Sequence, residues 1–167
     1  PFESFAFATP YLKSFEASSL AIFRDDLTNL HTLISTPTLS FLTLTGTATS
    51  NINVPAILNL VNELSNMKNA PERRCEMLES LSLVVSSSSS STTITAHKVT
   101  LATTSLTKLI IENDPMSTSL TLDTPNLQRL TIMNCPNLAT LKFRKNLSPN
   151  LFALNLGDVG KLSPSSF

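Results

Sequence analysis

The sequence repeats one seven-residue motif, and the spacing of its copies limits what the chain can fold into. The motif is [Thr/Ser/Cys]-Pro-x-Leu-x-x-[Leu/Phe], and the copies at Thr124–Leu130 and Cys135–Leu141 begin eleven residues apart. Recurrence in phase along a chain is the mark of an internal repeat. The other copies are Thr9–Phe15, Thr36–Leu42 and Ser148–Leu154, with Cys75–Leu81 and Thr103–Leu109 lacking the proline.

Each copy runs into a short Leu-x-x-Leu-x-Leu stretch that predicts a strand. In Leu127/Leu130/Ile132 and Leu138/Leu141/Phe143 the last two apolar residues are two positions apart, which is the period of a strand with one buried face. Proline fixes its own φ and favours an extended residue before it, so it marks the turn that precedes each strand. Strand centres are predicted near residues 99, 110, 121, 131, 142 and 154.

The eleven-residue step excludes a helix between these strands. A helix needs about 10–12 residues of its own, so each step holds only a strand and a turn. Two steps then make one coil with a strand on each side, and stacked coils bury their leucines in a continuous core. We therefore predict an α/β fold leaning to mostly β: a single solenoid domain over residues 1–167, with parallel short strands and about 10–11 residues per half-coil.

The middle of the chain departs from this pattern. Between Val54 and Asn69 apolar residues recur at helical spacing, Asn53 is a suitable N-cap, and Pro55 suits the first turn. One helix is therefore predicted near 54–69. The serine-rich stretch at 86–93 contains too little apolar surface to order itself and predicts a flexible loop.

Composition excludes several functions. The net charge is zero and only 14% of residues are charged, so a basic nucleic-acid surface is not expected. No apolar run is long enough to span a membrane.

Cys75 and Cys135 are too few for a disulfide scaffold and predict buried free thiols in a reducing, cytoplasmic or nuclear, compartment. The first residue, Pro1, is consistent with a piece of a longer chain.

Catalytic signals are weak. His31 and His97 lie in different repeats, and no glycine-rich phosphate loop or metalloprotease motif is present. Glu112, Asp114 and Asp123 lie on neighbouring repeats, where a β-helix carbohydrate-active enzyme would need a cluster of acids on one sheet. Nothing distinguishes these three acids from an ordinary polar rim, so we predict no enzyme activity, no cofactor and no metal.

The repeat units resemble a known family. The segments CEMLESLSL, TPNLQRLTIMNCPNLATLKF and SPNLFALNL are similar to the irregular leucine-rich repeats of plant F-box proteins, within the ribonuclease-inhibitor-like group. The resemblance implies a non-enzymatic module that recruits substrates to a ubiquitin ligase. No F-box-like Leu-Pro segment precedes the repeats here, so it covers at most the substrate-recognition half. An alternative is a secreted or surface solenoid used in adhesion.

The residues between the inward leucines are the candidate contacts for a protein partner. If successive strands enter different sheets, Lys108, Glu112, Arg129 and Met133 lie on one sheet. Lys142 and Arg144 then lie on the other. Arg129 and Met133 are preferred because arginine and methionine are enriched at interfaces. The basic pair Arg73–Arg74 and the basic run 142–145 are better explained as solvated faces. The predicted contacts are Lys108, Glu112, Arg129, Met133, Lys142 and Arg144.

Overall fold

The fold was obtained as a computed structural model, which describes residues 11–18, 28–46, 52–67, 76–86, 97–144, 149–160 and 162. Within these residues the chain forms nine short strands and two helices, so it is a strand-rich α/β fold. In chain order the elements are β1 (Ser14–Ser18), α1 (Thr28–Ile34), β2 (Phe41–Thr45), α2 (Val54–Ser65), β3 (Ser80–Val84), β4 (His97–Ala102), β5 (Lys108–Glu112), β6 (Ser117–Asp123), β7 (Arg129–Met133), β8 (Thr140–Phe143) and β9 (Ala153–Gly157).

Six strands form one parallel sheet in the order β1-β2-β3-β5-β7-β9. The repeat sets its register, because the last residue of six motif copies falls in one row across the sheet. The same side of the sheet therefore carries an apolar residue on each strand. From β1 to β9 this row is Phe15, Leu42, Leu81, Leu109, Leu130 and Leu154.

The other three strands form a second parallel sheet in the order β4-β6-β8. From β3 onwards the chain alternates between the two sheets, so strands that follow each other in sequence never pair. The copy that begins at Cys135 ends on this second sheet, where Leu141 pairs with Leu120. The predicted strand positions and the predicted division of successive strands between two parallel sheets are therefore confirmed.

The helices correct the sequence prediction in two ways. Helix α2 begins as expected, because the Asn53 side chain accepts a hydrogen bond from the Ala56 N–H at 3.0 Å and Pro55 lies in the first turn. It ends at Ser65 rather than near Asn69, with the Asn66 side chain donating to the Asn62 carbonyl at its C-terminus. Residues 68 and 69 lie outside the described residues.

A second helix, α1, was not predicted, so the expectation of one helix is wrong. The signal was present, since Leu30, Leu33 and Ile34 have the three- and four-residue spacing of one helical face and are fully buried. The helix spans only seven residues. A stripe this short is stabilised by tertiary packing rather than by its own propensity, which a sequence pattern does not measure.

Both sheets and both helices contribute to one hydrophobic core. Leu81, Leu109 and Leu130 of the first sheet and Leu120 and Leu141 of the second are at most 1% exposed. The core is mostly leucine and isoleucine. This uniformity follows from the repeat, because each new strand adds the same side chains at the same positions.

The motif itself forms the turn before a strand. In Thr124–Leu127 the Leu127 N–H donates to the Thr124 carbonyl at 3.1 Å, and Leu138 does the same to Cys135 at 3.2 Å. Pro125 is thus the second residue of a four-residue turn, where its fixed φ is favoured. Asn126 has no positive φ, which indicates a type I turn. The predicted corner role of the proline is confirmed here.

Asparagine side chains connect these turns to turns earlier in the chain. The Asn126 side chain donates to the Thr104 carbonyl at 2.7 Å, and Asn137 donates to the Pro115 carbonyl at 2.8 Å. Asn150 donates to the Pro125 carbonyl at 3.2 Å. In these three copies the asparagine after the proline therefore donates to a backbone carbonyl of an earlier turn.

No helix in the described part of the chain is both long enough and apolar enough to cross a membrane. Several sequence predictions fall on residues that the structure does not describe. These are the first repeat unit before residue 11, the basic pair Arg73–Arg74, Cys75, and the predicted serine-rich loop at 86–93 apart from Ser86.

Candidate functional site

The six-stranded sheet has an outward face made by the residues that alternate with the inward leucines. We call this set of residues the outward face. Its side chains are exposed or partly exposed, whereas the inward side chains of β3, β5 and β7 are buried. Across β3, β5, β7 and β9 it comprises the rows Ser80-Lys108-Arg129-Ala153, Ser82-Ile110-Thr131-Asn155 and Val84-Glu112-Met133-Gly157.

Four of the six predicted contact residues lie together on this face. Lys108 pairs with Arg129 across β5 and β7, and Glu112 pairs with Met133 at the other end of the same strands. One margin of the face is therefore basic, and the other contains an acid and a thioether. The Met133 side chain lies across Gly157, where a Cβ atom would be 2.6 Å from the methionine Cε. Glycine at this position allows that close approach.

An aromatic residue that the sequence reasoning missed joins the basic margin. The Phe152 ring centroid lies 5.3 Å from the Arg129 Cζ, a cation–π distance, and its side chain is 67% exposed. Phe152 precedes β9 at the position that Gln128 holds before β7. The sequence did contain a signal for this residue, because Phe152 is apolar whereas Gln128, at the same position before β7, is polar.

Arg129 and Phe152 line a surface depression of about 490 Å³ between β5, β7 and β9. Lys108, Arg129 and Phe152 are among the residues that line it, and Thr131 and Asn155 supply polar groups. Among the described residues neither Lys108 nor Arg129 forms an ion pair with a carboxylate. The depression therefore combines two cations with an aromatic surface and neutral hydrogen-bonding groups.

The other two predicted contacts lie on the second sheet. Lys142 is on β8 beside Thr121 of β6, and the Arg144 guanidinium is 3.8 Å from the Asp123 carboxylate. An exposed pair of this kind contributes little to stability, typically below about 1 kcal/mol. The six predicted residues therefore divide into a group of four on one sheet and a group of two on the other.

The acids proposed for an enzyme do not lie on one surface. Glu112 is on the outward face, whereas Asp123 is on the second sheet beside Arg144. Asp114 is 1% exposed, and its carboxylate accepts hydrogen bonds from the Met116 N–H at 2.9 Å and the Ser117 N–H at 3.3 Å. Asp114 therefore holds the turn between β5 and β6.

Metal-binding chemistry is likewise not assembled in the described ranges, where no group of three His, Cys, Asp or Glu side chains has suitable geometry. His31 lies in α1, where its Nδ1 is 3.5 Å from the Ser35 hydroxyl, and His97 begins β4. The two histidines thus belong to different elements.

Cys135 is a buried turn residue, as its position in the motif predicted. It is 2% exposed, and its thiol donates to the Met133 carbonyl at 3.3 Å. Burial raises the pKa of this thiol from 9.0 to about 11, with the nearby Asp114 and Glu112 carboxylates adding to the effect. Since the thiolate is the nucleophile, Cys135 is held in its unreactive form at neutral pH.

No protein-family model, curated protein or solved structure matches this chain.

Proposed function

We propose that this chain is a leucine-rich-repeat solenoid that acts as a protein-interaction module, of the kind that recognises substrates for an F-box ubiquitin ligase. The proposed contact surface is the outward face of the six-stranded sheet, centred on Lys108, Arg129 and Phe152. Catalysis and cofactors play no part in this role. We place it in the cytoplasm or nucleus, with no nucleic acid or membrane as partner.

The repeat architecture supports the solenoid part of the proposal. Motif copies align residue by residue across the parallel sheet, and the chain returns to that sheet every second strand after β3. Stacked repeats present the variable residues of each unit as continuous rows, which suits recognition of an extended partner.

The observation that carries the functional part is the Arg129–Phe152 pair on an exposed surface. Arginine and aromatic residues provide a large share of binding energy at protein interfaces. Phe152 leaves two thirds of its side chain exposed, and Arg129 is held over its ring at 5.3 Å. A guanidinium that already packs against an aromatic ring has less rotamer freedom to lose when a partner binds.

Site-specific photo-cross-linking tests this role. A photo-reactive benzoylphenylalanine is placed at Thr131, in the middle row of the outward face, within the full-length protein. The matched control places it at Thr121, a partly exposed threonine on a strand of the second sheet. Irradiation in an extract of the source cells is expected to yield a discrete protein adduct at Thr131 and none at Thr121.

The same experiment has clear contrary outcomes. Equal labelling at Thr121 and Thr131, or no adduct from a folded protein, counts against an interaction role for the outward face. The ubiquitin-ligase part is tested separately by asking whether a Skp-type adaptor co-purifies with the full-length protein. Loss of the adaptor alone removes the ligase assignment and leaves the interaction role in place. A cleaved secretion signal on the full-length protein favours the adhesion alternative.

A further inference from the structure

The outward face places two positive charges directly opposite each other. Lys108 and Arg129 are register partners on neighbouring strands, and their other neighbours in the row, Ser80 and Ala153, are uncharged. Like charges directly opposite in a sheet are destabilising. Neither Glu79 before β3 nor Glu112 at the end of β5 lies within ion-pair distance of either cation. Among the described residues, therefore, no carboxylate offsets the repulsion between these two cations.

The neighbouring groups indicate what would compensate it. The Phe152 ring lies 5.3 Å from the Arg129 Cζ, and a guanidinium without a carboxylate partner among the described residues can donate to a carboxylate in a bidentate manner. The depression of about 490 Å³ beside it is within the size range of sites that hold small groups or side chains. The Phe152 ring offers an apolar contact beside the positive charge of Arg129.

The opposite margin of the face adds polarity. Glu112 and Met133 lie four residues along the strands from Lys108 and Arg129, which is about 13 Å at the rise of a strand. A segment of partner chain that lies along β5 and β7 therefore meets positive charge at one end and negative charge at the other. This asymmetry favours one orientation of the bound segment.

We propose that the depression between β5, β7 and β9 binds an acidic segment of a protein partner, with a carboxylate between Lys108 and Arg129 and an adjacent apolar side chain against Phe152. This inference rests on the proposed interaction role and adds the chemistry of the partner. Charge complementarity carries it, because an Asp or Glu from the partner removes the repulsion between the two cations. In the described part of the second sheet, the Arg144 cation instead lies beside the Asp123 carboxylate.

The test begins with a phage-displayed random peptide library selected on the whole chain. Selected peptides are expected to be enriched in Asp and Glu next to an apolar residue. Each is then synthesised with a fluorescent label, together with a version in which Gln and Asn replace Glu and Asp. We expect binding to the acidic version to be about tenfold or more tighter, and to weaken as salt concentration rises.

Charge reversal on the protein supplies the decisive comparison. Arg129→Glu and Lys108→Glu are each expected to weaken binding of the acidic peptide by about tenfold or more. The double variant is expected to bind a peptide in which Lys replaces the acids. The matched control Lys142→Glu, on the second sheet, should bind the original peptide as the parent chain does. Circular dichroism verifies that every variant is folded.

The outcomes separate the two proposals. Selected peptides that map to the outward face without acidic enrichment, or whose binding survives Arg129→Glu, overturn the acidic-segment inference and leave the interaction role standing. Enrichment in basic residues overturns it as well. If no peptide binds above a blank surface and Thr131 gives no cross-link, both proposals fail.

Discussion

At the scale of single residues, asparagine supports the chain at the ends of strands as well as in the turns. Asn113 after β5 and Asn134 after β7 have φ values of 59° and 52°, in the left-handed region. Asparagine tolerates this conformation better than most residues because its side chain can hydrogen-bond locally. The Asn134 side chain donates to Asn113 Oδ1 at 2.9 Å, and Asn113 donates to the Val85 carbonyl at 2.9 Å. The two form a short ladder along the edge where the strands end.

This ladder gives a prediction for Asn113. Replacing it with Ala introduces left-handed strain and removes both side-chain hydrogen bonds, so the free energy of unfolding should fall by about 2–3 kcal/mol. Asn113→Gly relieves the strain and removes only the hydrogen bonds, so it should cost about 1 kcal/mol. Urea unfolding of both variants measures the difference. Equal losses for Ala and Gly would show that the φ value imposes no strain.

A second residue-scale prediction concerns the Cys135 thiol. In a Cys75→Ser background, a thiol reagent at about pH 8 should label Cys135 only as fast as the protein unfolds, because burial disfavours the thiolate. The folded pKa of about 11 exceeds the unfolded value of 9.0. The unfolded chain thus loses its proton first, and the contribution of Cys135 to stability declines as pH rises from 9.0 towards 11. Rapid labelling of the folded protein contradicts this assignment.

At the scale of elements, α2 completes the edge of the second sheet. The Ala102 N–H at the end of β4 donates to Asn62 Oδ1 at 2.9 Å, and the Asn66 side chain donates to the Ala102 carbonyl at 3.4 Å. In the described sheet β4 is an edge strand that pairs with β6 on one side. Asn62 and Asn66 therefore satisfy backbone groups on the other, open side of β4. The helix and the sheet are joined by polar contacts in addition to the shared core.

The junction predicts unequal effects for two asparagines of α2. Asn62→Ala leaves the Ala102 N–H without its partner and should lower the free energy of unfolding by about 1–3 kcal/mol. Asn59→Ala, at an exposed position of the same helix, should be neutral or slightly stabilising because alanine is the better helix former. Hydrogen exchange at Ala102 checks the cause, since only Asn62→Ala should accelerate it. The same exchange rate in both variants counts against the contact.

At the scale of the whole molecule, the inward rows of apolar side chains continue across all six strands of the first sheet. Each residue in a row packs between the corresponding residues of the strands on either side. Leu130 has such neighbours on both sides and is 1% exposed, whereas Leu154, on β9 at the edge of the described sheet, is 42% exposed. The stabilisation that a leucine contributes therefore depends on its place in the row.

This gradient predicts different costs for the same substitution. Leu130→Ala should lower the free energy of unfolding by about 2–5 kcal/mol, as expected for a fully buried leucine. Leu154→Ala should cost about half as much or less, because much of its side chain already contacts solvent. Chemical denaturation of the two variants provides the comparison. Equal costs would indicate that Leu154 is covered in solution.

Much of the fold could be predicted from the repeat. The eleven-residue step excluded intervening helices from residue 97 onwards, and the position of each leucine placed its strand and its register. Lys108 and Arg129 could be assigned to one sheet because they occupy the same position two steps apart. Helix α1 was missed because its stripe of three apolar residues is too short to distinguish from a strand unit without knowing what packs against it.

The spacing of residues along the chain is enough to predict the periodic features of this protein: parallel strands, turns at the prolines, and leucines that face one core. These features are local, because each depends on spacing within one or two repeat units. Which variable residues contact each other depends on tertiary packing and could not be predicted from spacing. The contact of Phe152 with Arg129, the support of β4 by Asn62 and the separation of Glu112 from Asp123 join residues from different units, and their side-chain directions follow from how the units stack.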